Sequence, residues 1–214
     1  MATVDPRSLR VYVVTSSGLV AGREHRDVAL AAIEGGATAV QLRAPELSAA
    51  ELRPLAEELQ GRCSEAGVLF LVNDRVYVAA AVGAGAHVGQ GDDPRAARTL
   101  LGHRGALGIS VSNVEEALAA VGIGADYLGV TVWATRTKPG AKPKGIHGLR
   151  AVVDAVDVPV VAIGGIDATN AREVIDAGGA SGVAVVSAIG AAPDPVAATQ
   201  ELVEVVGSLR VGEP

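Results

Sequence analysis

Glu34-Gly35-Gly36-Ala37-Thr38-Ala39-Val40-Gln41-Leu42-Arg43 reads as the end of a helix, a glycine turn and a strand that closes on two polar side chains. Glycine at such a junction ends the helix in a left-handed conformation and turns the chain back toward a sheet. Alternation along Ala39–Arg43 puts Gln41 and Arg43 on one face and Leu42 on the other. The same punctuation returns at Val82-Gly83-Ala84-Gly85, Gly122-Ile123-Gly124-Ala125 and Ala177-Gly178-Gly179-Ala180, each just before an apolar run.

Working outward from that unit, strands are expected at Leu9–Thr15, Ala39–Arg43, Leu69–Asn73, Ala86–Val88, Leu107–Ser110, Tyr127–Val130, Val158–Ile163 and Gly182–Ser187. Segments with helical spacing lie between them, among them Glu24–Glu34, Ala49–Ala66, Val114–Val121, Ala168–Ala177 and Pro195–Val206. Strands alternating with helices give right-handed crossovers and a parallel sheet. Eight units in 214 residues imply a small α/β TIM barrel, (β/α)8, in one domain spanning 1–214. An open doubly wound sheet would want a glycine fingerprint after the first strand, and Ser16-Ser17-Gly18 is not one.

Composition agrees with this architecture. Hydrophobic residues make up 49% of the chain and aromatics only 2%, so the core is Ala, Val, Leu and Ile, the filling of helix-covered parallel sheets. The 24 acidic and 18 basic residues leave a net charge of −6, which argues against a nucleic-acid partner. Cys63 is the only cysteine, which excludes an internal disulfide. Met1–Pro6 lacks the charged and apolar regions of a signal peptide, and no apolar run approaches the ~20 residues that span a bilayer. The expectation is a cytoplasmic protein with no membrane partner; a homo-oligomer is compatible with the sequence.

In a barrel of this kind the chemistry sits at the carboxyl ends of the strands. Val72-Asn73-Asp74-Arg75 follows the third strand and Gly89-Gln90-Gly91-Asp92-Asp93-Pro94 the fourth. Asp93 before Pro94 suits a helix cap, which leaves Asp92 to face the mouth beside Asp74. Two carboxylates on adjacent strand ends suit Mg²⁺, with water and phosphate completing the shell; the alternative for Asn73 or Asp74 is a helix cap. Arg43 on an inner face calls for an anion, either a ligand phosphate or a structural carboxylate. Gly164-Gly165 after strand seven offers bare amides to a phosphate, with Val186 and Ser187 at the end of strand eight. Ser110 ends strand five, facing the mouth. After strand six, Trp133-Ala134-Thr135-Arg136-Thr137-Lys138 supplies hydroxyls and an ammonium. His25 and His103 read as solvent-facing, whereas His87 falls in strand four and can line the interior.

Together these pieces resemble the thiamine-phosphate synthase family, from the first strand through the eighth. The resemblance is carried by Gly36–Arg43, Val72–Arg75, Gly85-Ala86-His87-Val88-Gly89-Gln90, Gly124–Val130, Thr135–Lys138 and Ala162-Ile163-Gly164-Gly165-Ile166. It implies an enzyme that joins a hydroxymethylpyrimidine diphosphate to a thiazole phosphate and releases pyrophosphate. Carried over, Gln41, Arg43, Asn73, Ser110 and Lys138 would hold the pyrimidine diphosphate, with Arg43, Ser110 and Lys138 in the catalytic role. Asp74 and Asp92 would bind Mg²⁺. Thr135, Thr137, Gly164, Gly165, Val186 and Ser187 would grip the thiazole phosphate.

Two positions depart from the family pattern. Ala44-Pro45 replaces the lysine expected two residues after Arg43, and Thr131-Val132-Trp133-Ala134 replaces a proline-rich loop start. The rival readings are a thiazole tautomerase, a non-catalytic phospholigand-binding barrel, and a sugar-phosphate isomerase or epimerase. The tautomerase would want a histidine after the strand-five serine, where Ser112-Asn113 stands.

Overall fold

The computed structural model describes residues 4–89, 91–134 and 142–207. Strands and helices alternate in the order β1 Val11–Val14, α1 His25–Glu34, β2 Ala39–Leu42, α2 Ala49–Ala66, β3 Leu69–Asn73, α3 Val76–Val82, β4 Gly85–Val88 and α4 Pro94–Leu101. They continue as β5 Leu107–Val111, α5 Val114–Ile123, β6 Tyr127–Thr131, α6 Gly145–Val153, β7 Val160–Ile163, α7 Ala171–Asp176, β8 Gly182–Val185, α8 Ser187–Gly190 and α9 Pro195–Gly207. The strands close into a parallel barrel in sequence order, β8 pairing back onto β1. The expected (β/α)8 fold is therefore the one observed.

Local signals explain the boundaries. α2 starts at a capping box in which Ser48 and Glu51 satisfy each other's backbone amides, and it ends on Gly67 at φ 68°. Gly36, Gly83, Gly124 and Gly179 all have positive φ, as the four glycine junctions require. β7 begins at Val160, later than expected, because Pro159 has no N–H to offer the ladder. β1 is shorter than Leu9–Thr15 because Pro6–Leu9 forms a 3-10 turn that buries Leu9 beneath the barrel. α7 starts at Ala171 and not Ala168. There the Asp167 carboxylate accepts from the amide and hydroxyl of Thr169, and the Asn170 side chain donates to the Gly165 carbonyl, so local side-chain bonds compete with the helix.

Two cores result. Ala, Val, Leu and Ile pack between the strands and the helices. Inside the barrel, Leu9, Tyr12, Val14, Ala39, Leu71, Tyr127, Val161 and Ala184 form a separate cluster. Register sets the inner face: Gln41 lies beside Val14 and Leu71, Asn73 beside His87, Ser110 beside Gly129, and Ile163 beside Ala184. The interior balances its two tyrosines against glycines. A Cβ on Gly108 would collide with the Tyr127 ring and come within 2.5 Å of His87 Nδ1. Only a residue without a side chain leaves room there for an aromatic pair.

Candidate functional site

The upper end of the barrel opens into a pocket of about 920 Å³, counting the space continuous with solvent. Of the residues expected to act, Gln41, Arg43, Asn73, Ser110, Gly164, Gly165, Val186 and Ser187 line this one pocket. They come from the ends of β2, β3, β5, β7 and β8. Thr135, Thr137 and Lys138 lie outside the described residues, as does Gln90.

Asp74 and Asp92 do not line this pocket; they meet beside it, where Asp74 interacts with Asn73 and Arg43 of its wall. Asp74 is the only non-glycine among the described residues with positive φ, 58°. That conformation takes the chain out of β3 while its amide still donates to the His87 carbonyl at 2.9 Å. Asp tolerates it better than most residues. Although Asp74 keeps exposed surface, loss of water around its carboxyl raises its pKa first. The Asp92 charge and hydrogen bond raise it further, while Asn73 and Arg43 oppose the shift. Two carboxylates in hydrogen-bonding reach need a shared proton or a cation between them. The N-cap position of α3 is Arg75, not Asn73 or Asp74, and its side chain makes no capping bond. Asp93 does cap α4, accepting from the amides of Arg95 and Ala96. Asp92 instead accepts from the Gly89 amide at 2.9 Å.

On the opposite side, Gly164 and Gly165 have φ 98° and 65°. A Cβ on Gly164 would lie 2.6 Å from the Trp133 carbonyl oxygen, and one on Gly165 3.0 Å from that of Ala134. The turn after β7 therefore rests on the chain leaving β6, and conformation and space both demand glycine. Ser187 opens α8 beside this turn. The helix nearest Gly164-Gly165 along the chain, α7, begins after a further turn and does not start at the glycines.

The sequence reading placed His25 in solvent, and the structure corrects this. His25 is buried at 3% exposure. Its Nδ1 pairs with Thr15 Oγ1 at 3.0 Å and its Nε2 with Glu46 Oε1 at 2.6 Å. The Ser17 hydroxyl donates to the same oxygen at 2.7 Å, and the Arg43 amide donates to Thr15 Oγ1 at 3.1 Å. Burial alone would raise the Glu46 pKa, but hydrogen bonds from His25 and Ser17 outweigh it and hold the carboxyl at about 2. These contacts tie the loops after β1 and β2 together and fix the backbone from which Arg43 projects. No cation comes from this loop where the family lysine was expected: Ala44 is buried and Pro45 exposed.

The pocket floor holds residues that sequence reasoning did not single out, Tyr12 and Tyr127. Their hydroxyls are 2.9 Å apart. Tyr127 Oη also reaches His87 Nδ1 at 2.9 Å, and His87 Nε2 reaches Ser110 Oγ at 2.9 Å. Burial raises the pKa of both tyrosines well above the ordinary range, so both stay protonated. His87 thus lines the interior, as its strand position suggested.

With this geometry in view, comparison with known proteins gives a consistent result. Residues 11–189 match the family model described as thiamine monophosphate synthase. The chain is 53% identical to the thiamine-phosphate synthase of Chloroflexus aurantiacus over 197 residues, covering 90% of each protein. It is 47% identical to the thiamine-phosphate synthase of Moorella thermoacetica, covering 94% of this chain and 97% of that one. A solved structure, thiamine phosphate pyrophosphorylase from Pyrococcus furiosus, superposes with a TM-score of 0.86 at 40% identity, covering 94% of this chain and 97% of that one.

Proposed function

Because the chain belongs to the thiamine monophosphate synthase family, we propose that it joins hydroxymethylpyrimidine diphosphate to hydroxyethylthiazole phosphate, yielding thiamine phosphate and pyrophosphate. The observation that carries this reading is the division of one pocket into two unlike ends. The acidic pair Asp74 and Asp92 lies just outside one end, next to the Arg43 and Asn73 that line it. The bare glycine turn Gly164-Gly165 stands with Ser187 at the other. A metal-diphosphate fits the first end and a monophosphate the second.

The donor set fits Mg²⁺. Among the described residues no three His, Cys, Asp or Glu side chains gather at one point. Two carboxylates are nevertheless what Mg²⁺ takes when waters and substrate phosphates complete its octahedron. Asp74, whose carboxyl is raised by loss of water and then by Asp92, gains from a nearby cation. When bound there, Mg²⁺ would neutralise charge on a departing diphosphate.

The rest of the chemistry belongs to the chain's own residues. Arg43 presents a guanidinium to the diphosphate from a backbone pinned by Thr15. Lys138 would add a second cation from the loop after β6. Ser110 and Gln41 hold the ring of the first substrate on the pocket floor. The glycine turn and Ser187 fix the second substrate by its phosphate, so its ring nitrogen lies close to the carbon that loses pyrophosphate. A dissociative reaction of this kind needs stabilised leaving-group charge and two aligned partners, not a protein nucleophile.

Incubation with both substrates and Mg²⁺, followed by chromatographic detection of thiamine phosphate and colorimetric detection of pyrophosphate, tests the reading. Product well above that of Asp92→Ala is expected. Equal product from the two proteins would overturn it.

A further inference from the structure

Five side chains inside the barrel stand in a hydrogen-bonded row. The Gln41 amide nitrogen donates to Tyr12 Oη. Tyr12 Oη pairs with Tyr127 Oη, Tyr127 Oη with His87 Nδ1, and His87 Nε2 with Ser110 Oγ, each at 2.9 Å. The row runs from β2 through β1, β6 and β4 to β5. Its two ends, Gln41 and Ser110, line the same pocket.

With the Gln41 amide nitrogen as the first donor, a row in which each hydroxyl takes one proton and passes one on runs in a single direction. The first link uses a Gln41 proton, and the Tyr12 hydroxyl proton goes on to Tyr127. The Tyr127 proton then goes to His87 Nδ1. A neutral imidazole with Nδ1 as acceptor carries its proton on Nε2 and donates it to Ser110. The Ser110 hydroxyl proton is left for the pocket, and the Gln41 carbonyl takes no part in the row. Rotating the Gln41 amide by half a turn would reverse all four links together.

We propose that this row is proton-ordered, and that Tyr12, Tyr127 and His87 are positioning residues that make Ser110 a hydrogen-bond donor to the ligand and Gln41 the complementary acceptor. The polarity at one end of the pocket floor thereby sets the polarity at the other. A flat heteroaromatic ring with a nitrogen lone pair toward Ser110 and an N–H toward Gln41 satisfies both ends. Only this ligand assignment rests on the synthase reading; the proton order is a property of the protein alone.

The test reads the tautomer of His87 directly. Protein labelled with ¹⁵N-histidine is studied by long-range ¹H–¹⁵N NMR at about pH 8, above the ordinary histidine range, and His87→Gln identifies the resonance. The wild type should show the Nε2–H form. Gln41→Glu replaces a donor by an acceptor, so His87, three links away, should move to the Nδ1–H form. Adding Tyr127→Phe cuts the row and should restore Nε2–H. Nδ1–H in the wild type, or a signal that ignores Gln41→Glu, overturns the proposal. Should Gln41→Glu not fold, calorimetric binding of hydroxymethylpyrimidine diphosphate to Tyr127→Phe, Ser110→Ala and the double variant takes its place. Each single change should weaken binding about 3–10-fold, the scale of one hydrogen bond, and the double variant should bind no worse than Ser110→Ala. Fully multiplicative losses would overturn the order. Absence of thiamine phosphate would sink the synthase reading and leave the tautomer result intact.

Discussion

Gly108→Ala tests whether the barrel interior is built around its aromatic pair. The added Cβ would sit 2.5 Å from His87 Nδ1 and nearer still to the Tyr127 ring, where 3.0 Å is already shorter than real Cβ contacts allow. Tyr127 has no exposed surface and cannot swing away, so strand or ring must shift. Overpacking of this kind costs ~1–3 kcal/mol, and losing the Tyr127–His87 hydrogen bond adds ~0.5–1.5 kcal/mol. Together they predict a loss of ~1.5–4.5 kcal/mol. At about 2–4 °C per kcal/mol for a chain of this length, the melting temperature falls by about 3–18 °C. The control is Gly61→Ala inside α2, where an added Cβ meets nothing within 4 Å and removal of a helix glycine should stabilise by ~0.5–1 kcal/mol. Melting by circular dichroism decides the matter. Equal melting temperatures for the two variants would refute the packing argument.

Other outcomes follow from the rim and loops. Gly164→Ala places a Cβ 2.6 Å from the Trp133 carbonyl at φ 98°; it should cost ~1–3 kcal/mol and weaken binding of the thiazole phosphate about tenfold or more, read by calorimetry. Asp74→Asn removes one of two opposed carboxylates; it should raise the melting temperature in chelator and abolish any rise produced by added Mg²⁺. Glu46 is held at about 2, against an ordinary 4.5. Its contribution is therefore present above about pH 4.5 and lost as pH falls toward about 2. Glu46→Gln should flatten that part of the acid-unfolding profile, whereas an unchanged profile would show that the His25 contact is thermodynamically silent.

The fold was legible because the signals that make it are local. Four glycine junctions, alternating apolar runs and a capping box at Ser48 each act within a few residues, and α2 came out at its expected bounds. Sequence reasoning overran β1, β7 and α7, where a proline, a 3-10 turn and the Asp167–Asn170 side chains intervene. The pocket was legible as far as polar residues at strand ends announce themselves. Tyr12 and Tyr127 did not, because each sits in an apolar run that reads as core. Their contact joins residues 115 apart in the chain, and only closure of the barrel brings them together. His25 failed for the same reason. Its partners Thr15 and Glu46 lie on two other loops, and a histidine at a helix start looks exposed until those loops fold over it.

The packing of Gly164-Gly165 against Trp133-Ala134 has a consequence for exchanging parts between relatives. The turn after β7 has no side chains of its own, so its shape is moulded by the carbonyls of the neighbouring segment. A graft that imports a proline-rich start to the β6 segment alone would press a foreign surface against a turn with no freedom to adapt. The two segments form a single heritable cassette, and swaps that respect that boundary are the ones that should yield active chimeras.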